Sequence, residues 1–280
     1  MGGDEVAPHS GHRSRAFVRG GAAAPHYARR ALDGFIDLLF PKRCVHCRAA
    51  GGWLCETCAG GLTPLPEVRC PRCGAPGDWS RRPCPECGGR ELAFSTATAA
   101  FAYTGPARDL VTACKFRALR SIVDEMVGRA GPAFVAACGG LSGPDVLVTW
   151  VPGHRDHSLE RGFNQAELLA RGLARTAQVS YAPLLLRVRH GARQSGLDRA
   201  ARAANVHDAF ALREDVKRVL RNLKRVVIVD DVYTTGETLN HCADALAQAD
   251  FRPHVFTFAR TVRAASPAAT RNTLQKEHCR

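Results

Sequence analysis

No apolar run in this 280-residue chain reaches the roughly 18 residues that a membrane-spanning helix needs. Residues 1–30 also lack the continuous apolar core of a secretory signal. That stretch is rich in Gly, Ala, Arg and His, and reads as a disordered extension or an over-called start. Aromatic residues are scarce at 7% and do not cluster, which weakens any stacking platform for single-stranded nucleic acid. Acidic residues are few: 26 Asp and Glu against 39 Lys and Arg, a formal charge of +13. The excess concentrates between Val151 and Arg225, with 15 basic residues against 7 acidic. A positive segment suits a polyphosphate or a nucleic acid, and charge alone does not separate the two. Hydrophobic residues make up 45%, ample for a packed core, and the length allows a small domain plus a medium one.

Cysteine is the opposite case. Cys44-Val-His-Cys47, Cys55-Glu-Thr-Cys58, Cys70-Pro-Arg-Cys73 and Cys84-Pro-Glu-Cys87 place four C-x-x-C pairs within 44 residues. One such turn presents two thiolates to a metal, and two turns complete a tetrahedron at Zn–S of about 2.3 Å. Eight cysteines make two closed sites, and closed sites are structural because no position remains for water or substrate. Without a secretory signal, zinc is favoured over disulfides. Consecutive pairing closes the shortest loops, with a crossed pairing as the alternative. His46, inside the first knuckle, reads as exposed rather than as a ligand. Each zinc held by four thiolates carries two net negative charges, and two such centres would lower the formal charge to about +9. The segment has little core of its own and needs metal to fold. Cys114, Cys138 and Cys242 fall in helical patterns and read as small buried hydrophobes.

The most informative stretch is Arg225-Val-Val-Ile-Val-Asp-Asp-Val-Tyr-Thr-Thr-Gly-Glu-Thr-Leu239. Val226 to Val229 reads as a buried parallel strand. Asp230 and Asp231 close it, and a Thr-Gly turn opens a helix over residues 236–249. Backbone N–H groups and hydroxyls at a helix N-terminus take phosphate, while adjacent carboxylates are placed for ribose hydroxyls. Further strands are expected at 94–103, 146–151 and 255–258, and helices at 31–40, 122–137 and 164–177. A helix face at Leu110, Val111 and Cys114 follows Gly105-Pro106. Strands alternating with helices imply an α/β fold, a mostly parallel sheet with ligands at the carboxyl ends of its strands. The expected organisation is a 1–30 extension, a helix with the zinc module at 31–92, the α/β domain at 93–262 and a flexible tail at 263–280.

The 225–239 stretch resembles the phosphoribosyl-pyrophosphate (PRPP) loop of type I phosphoribosyltransferases. Tyr233 departs from that pattern, standing where an aliphatic residue is more usual. Together with the cysteine pairs, the chain is similar to the ComF/GntX family over about residues 35–262, a double zinc ribbon joined to a type I phosphoribosyltransferase domain. Lys115-Phe-Arg117, the run from Val151 to Arg-Gly-Phe-Asn-Gln165, and the run Arg193-Gln-Ser-Gly-Leu-Asp-Arg199 that continues to Asn205-Val206 carry the same resemblance.

The resemblance implies a phosphoribosyltransferase, a glycosyltransferase of the pentosyl class. Thr234, Thr235, Gly236, Glu237 and Thr238 would bind the 5-phosphate, and Asp230 and Asp231 the ribose hydroxyls. Mg2+ would bridge pyrophosphate and ribose oxygens. Arg161, Gly162 and Asn164 fall where the pyrophosphate-contacting loop lies, with capping of the following helix as the alternative for Arg161 and Asn164. Residues 193–205 would form a mobile hood, with Arg193, Arg199 or Arg202 reaching pyrophosphate; Arg199 and Arg202 equally suit a solvated helix face. Lys115 either approaches phosphate or snorkels. Thr234 stands where purine-salvage enzymes carry an acid, which argues against that subclass and leaves the small-molecule acceptor unknown. The family's link to natural competence and DNA uptake keeps a second reading open. In it the fold is a non-catalytic PRPP sensor that engages single-stranded DNA or a DNA-uptake helicase. Either reading places the chain in the cytoplasm.

Overall fold

Val226, Val227, Ile228 and Val229 are each at most 1% exposed, which a strand reaches only when both faces of its sheet are covered. The computed structural model describes residues 42–262 apart from 118–119, 140–142, 154–162, 189–208, 215, 217–219 and 221–222. The expected helix at 31–40 lies outside these residues. In chain order the elements are α1 (Glu56–Ala59), β1 (Thr96–Ala102), α2 (Gly105–Arg117), α3 (Arg120–Ala137) and β2 (Gly143–Trp150). They continue with α4 (Gln165–Thr176), β3 (Val179–Tyr181), β4 (Leu185–Arg187), β5 (Phe210–Leu212), β6 (Arg225–Tyr233), α5 (Glu237–Ala247) and β7 (His254–Arg260).

Five strands form one sheet in the order β1-β7-β6-β2-β3, and every neighbouring pair is parallel. The chain passes from β2 through α4 to β3 on one side. It passes from β6 through α5 to β7 on the other. The strand order therefore reverses between β2 and β6, and a crevice opens at their carboxyl ends. Side-chain alternation along β6 divides the core in two. Val227 and Val229 join Phe134, Leu169 and Leu173 of α3 and α4. Val226 and Ile228 join Leu239, Ala243 and Leu246 of α5.

The zinc module shares both cores. Cys44, Val45, Leu54 and Cys58 belong to the first cluster, and Cys70, Cys73, Ala75, Cys84 and Cys87 to the second. The module also covers the open edge of β1. Ala97 N–H donates to the Arg72 carbonyl at 2.8 Å, Ala102 N–H to the Thr63 carbonyl at 2.8 Å, and Leu65 N–H to the Ala100 carbonyl at 3.4 Å. An unpaired edge strand is thereby removed. Residues from Lys42 onward form one compact unit.

The structure differs from the sequence reading in two ways. The strand at 226–230 runs on to Tyr233, because β7 continues to pair with it through Asp230–Thr257, Val232–Ala259 and Tyr233–Arg260. Its other neighbour stops earlier: the last β2 pair is Trp150–Val229. The acidic pair thus sits beyond the end of β2 while still held by β7. The second difference is the set of three-residue strands β3, β4 and β5, of which β4 and β5 form an antiparallel ribbon. No helix among the described residues is long and apolar enough to cross a membrane.

Candidate functional site

Eight cysteines fall into two groups, Cys44/Cys47/Cys55/Cys58 and Cys70/Cys73/Cys84/Cys87, with the sulfurs of each group within 4.8 Å of one another. This is the consecutive pairing. Four sulfurs at about 2.3 Å from a tetrahedral zinc lie about 3.8 Å apart. The Sγ separations are 3.6 Å for Cys47–Cys55, 3.6 Å for Cys70–Cys87 and 3.7 Å for Cys73–Cys84. The donor set and its spacing therefore fit two zinc ions. Burial, followed by crowding among the sulfurs, pushes the Cys58 thiol well up. Burial likewise raises Cys73 well above the usual thiol range and Cys47 and Cys87 to about 11. Burial also acts to raise Cys70, but the Cys73 and Arg72 N–H groups of its own knuckle draw it down to about 7. A dication resolves this crowding by taking all four sulfurs as thiolates.

His46 is not exposed as the sequence suggested. Its side chain is only 13% accessible, and Nδ1 lies 2.7 Å from Asp109 Oδ2 on α2. The first ribbon is further tied to α3 by Trp53 Nε1, which donates to Ser121 Oγ at 3.1 Å, and by an Arg129–Glu56 ion pair at 2.7 Å. Cys114, Cys138 and Cys242 are buried.

The sheet crevice holds the second constellation. Asp231 N–H donates to Asp230 Oδ1 at 2.8 Å. Asp231 Oδ2 meets Lys115 Nζ of α2 at 3.0 Å. Lys115 thus reaches the acidic pair. Burial acts to lower its pKa, but Asp231, then Asp230 and Tyr103, more than offset this and hold the amine above its ordinary value. Asp230 is pushed up to about 8, first by burial and then by repulsion from Asp231. The Asp231 N–H and Lys115 pull it partly back. Asp230 is thus disposed to keep its proton beside the Asp231–Lys115 ion pair.

Past Tyr233 the chain turns through Gly236, at φ 78°, into α5. A Cβ there would collide with the Tyr233 hydroxyl oxygen, so only glycine fits. Thr234, Thr235, Glu237 and Thr238 are exposed. The carbonyls of the turn are bonded from behind. Tyr233 O accepts from Thr261 N–H at 2.9 Å, Thr234 O from Thr261 Oγ1 at 3.3 Å, and Thr235 O from Arg90 Nη1 at 2.8 Å. Among the described residues, the N–H groups of Thr234, Thr235 and Gly236 have no hydrogen-bond partner. A turn with its carbonyls tied back and its N–H groups free, at the start of a helix, has the donors to receive an anion.

Asp230, Asp231 and residues 234–238 thus converge on one turn. Asn164 lies at the carboxyl end of β2, and its side chain is committed locally. Its oxygen accepts from Ala166 N–H at 3.0 Å, which caps α4, and its amide donates to Val151 O at 3.1 Å. Arg161, Arg193, Arg199 and Arg202 lie outside the described residues. Two contributors escaped the sequence reading. Arg90 contacts a residue 145 positions away, and nothing local marks it. Arg260 could have been noticed as a charge closing the apolar strand His254-Val-Phe-Thr-Phe-Ala-Arg260.

Comparison with known proteins adds the family. Residues 35–88 match the double zinc ribbon domain. The chain is 31% identical over 217 residues to "DNA utilization protein YhgH" of Escherichia coli (strain K12), covering 75% of this chain and 92% of that protein. It is 29% identical over 217 residues to "Competence protein F" of Haemophilus influenzae, covering 74% and 91%. The chain belongs to the ComF/GntX family. Its described architecture is a double zinc ribbon joined to a five-stranded parallel sheet with helices on both faces. A partial overlap occurs with the allosteric regulatory enzyme of purine biosynthesis (TM-score 0.29, 22% identity, 52% of this chain and 26% of that one). A second is with hypoxanthine phosphoribosyl transferase of Trypanosoma cruzi (TM-score 0.27, 17% identity, 57% and 85%).

Two outcomes follow from this geometry. Native mass spectrometry of the purified chain is expected to find two zinc ions; one or none would contradict the pair of four-cysteine centres. Because the folded pKa of Asp230 lies above its unfolded value of about 3.9, its ionisation opposes folding. Asp230 by itself therefore causes a loss of stability as pH rises from about 4 to about 8. Asp230→Asn is expected to flatten that loss in a melting series over this range. Parallel profiles for the two proteins would contradict the raised pKa.

Proposed function

We propose that this ComF-like chain is a phosphoribosyltransferase that binds PRPP with Mg2+ and transfers its phosphoribosyl group to a small-molecule acceptor. The observation that carries this reading is the acidic pair held beside an anion-binding turn at the switch point of a parallel sheet. A 5-phosphate on the free N–H groups of residues 234–236 leaves the attached ribose within reach of Asp230 and Asp231. Thr234, Thr235 and Thr238 supply hydroxyls to the same anion. Lys115 offsets the charge of the carboxylates while the site is empty.

In the transfer, the acceptor's lone pair forms a bond to C1 of the ribose. The C1–O bond breaks, and pyrophosphate leaves with the bonding pair. Positive charge builds on the ribose ring, and the Asp230–Asp231 carboxylates below the hydroxyls favour it. The hard oxygen donors of the pair suit Mg2+, which when bound would neutralise pyrophosphate and orient the ribose oxygens. Arg193 and Arg161, from segments flanking the crevice in sequence, are the side chains proposed to meet the leaving pyrophosphate. Asn164 serves that loop by fixing its return into α4.

A second reading is favoured by the relatives' names, which concern competence and DNA utilization. The same groups would then sense PRPP without turnover, and the partner would be single-stranded DNA or a DNA-uptake helicase. The concentrated positive charge of residues 151–225 suits either partner.

Calorimetric titration of the zinc-loaded chain with PRPP and Mg2+, followed by pyrophosphate release with candidate amines and nitrogen heterocycles, separates the two. Asp231→Ala is expected to weaken PRPP binding at least about 100-fold while both zinc ions remain, since several hydrogen bonds to a charged group are lost together. Binding unchanged by the substitution would overturn the assignment. Binding without turnover on any acceptor, joined to salt-dependent DNA affinity, would favour the sensor.

A further inference from the structure

The last residue of β7, Arg260, is 1% exposed, a burial that a charged side chain tolerates only when it is paired. Its guanidinium spans the second zinc ribbon. Nη1 donates to the carbonyl of Cys73, itself a sulfur ligand, and Nη2 pairs with Glu86, which lies between Cys84 and Cys87. One cation therefore ties together both knuckles of a single four-cysteine centre. The same guanidinium sits 4.5 Å from the centroid of the Tyr233 ring. That ring in turn closes the space over Gly236, where a Cβ would meet the hydroxyl. The ring is the layer between ribbon and turn.

A second link runs beside the first. Arg90 stands three residues after the final ligand, Cys87. Its Nη1 donates to Thr235 O at 2.8 Å and to Glu86 O at 3.4 Å, and its own carbonyl is held by Arg72 Nη2 at 3.1 Å. Ala93 N–H donates to Asn240 Oδ1 on α5 at 2.8 Å. The Arg90 bond has a specific consequence. In a trans peptide the C=O and the following N–H point in opposite directions. Holding Thr235 O toward the ribbon therefore aims the Gly236 N–H away from it. Thr261 does the same for the two preceding peptides through Tyr233 O and Thr234 O. The ribbon thus controls one of the three peptide planes whose N–H groups make the anion site, and it adds a guanidinium charge beside that site.

We propose that the second zinc ribbon is a working part of the phosphate site, with Arg90 as a positioning residue that sets the Thr235–Gly236 peptide. The inference rests on the reading that residues 234–238 take a sugar phosphate. It assigns the ribbon more than a scaffold's role.

The test uses the full zinc-loaded chain, with Arg90→Ala and Arg90→Lys. Arg90 is only partly buried, so the substitutions spare the core. Ribose 5-phosphate and PRPP are titrated by calorimetry, hydrogen exchange is followed at the amides of residues 234–236 with saturating ribose 5-phosphate bound, and zinc is counted by native mass spectrometry. Arg90→Ala is expected to bind ribose 5-phosphate about tenfold more weakly, the loss of one hydrogen bond to a charged donor. It is also expected to exchange faster at the turn while keeping both zinc ions and its melting temperature. Arg90→Lys, which still offers one charged donor to Thr235 O, is expected to recover part of both effects. Wild-type and Arg90→Ala proteins with equal affinity and equal exchange would overturn the ribbon's role and leave the PRPP reading standing. A wild-type chain that binds neither ligand would overturn the PRPP reading and this inference with it.

Discussion

Eight thiols gathered around two tetrahedral points are the constraint on which the rest of this molecule depends. Residues 42–92 have too few apolar side chains to fold on their own, and their sulfurs repel one another unless a dication draws them in as thiolates. Once drawn in, the ribbons are not an appendage. Cys44 and Cys58 lie in the core on one face of the sheet and Cys73 and Cys87 in the core on the other. The segment between the ribbons and the Cys70 knuckle take up the hydrogen bonds of β1's open edge. Metal binding, edge protection and core closure are therefore one event.

The same arrangement reaches the crevice from two sides. The first ribbon meets α2 through His46 and Asp109, and α2 carries Lys115 to Asp231. The second ribbon meets the 234–238 turn through Arg260, Tyr233 and Arg90. Between them the acidic pair is held beside the 234–238 turn although Asp230 and Asp231 repel one another. A carboxyl pushed above its usual range by burial and by its neighbour Asp231 gains from a cation or a hydroxylated sugar that relieves that repulsion.

Much of this was legible in the sequence, for identifiable reasons. Val226 to Val229 announces a strand covered on both faces, Thr234-Thr-Gly236 a turn into a helix, and four C-x-x-C pairs two metal sites. These signals are local, with partners only a few residues away or shared with a metal. The extension of β6 to Tyr233 was not legible, because it depends on how far β7 runs beside it. The strands β3 to β5 were hidden by their three-residue length, too short for alternation to register. His46 read as exposed because its partner, Asp109, is 63 residues away. Arg90 and Arg260 act across 145 and 187 residues, and no spacing rule connects them to Thr235 or Cys73. Asn164 matched a pyrophosphate motif, while its side chain is occupied in capping α4.

The central claim is a sugar diphosphate seated on the Asp230–Asp231 pair with its 5-phosphate in the 234–238 turn. A crystal structure of the zinc-loaded chain soaked with PRPP and Mg2+ tests it most directly. The expected density has ribose hydroxyls against the two carboxylates, with Lys115 displaced from Asp231 and the terminal phosphate on the N–H groups of Thr234, Thr235 and Gly236. Donor bound elsewhere, or a crevice left empty at saturating donor with Lys115 still paired to Asp231, would contradict the account.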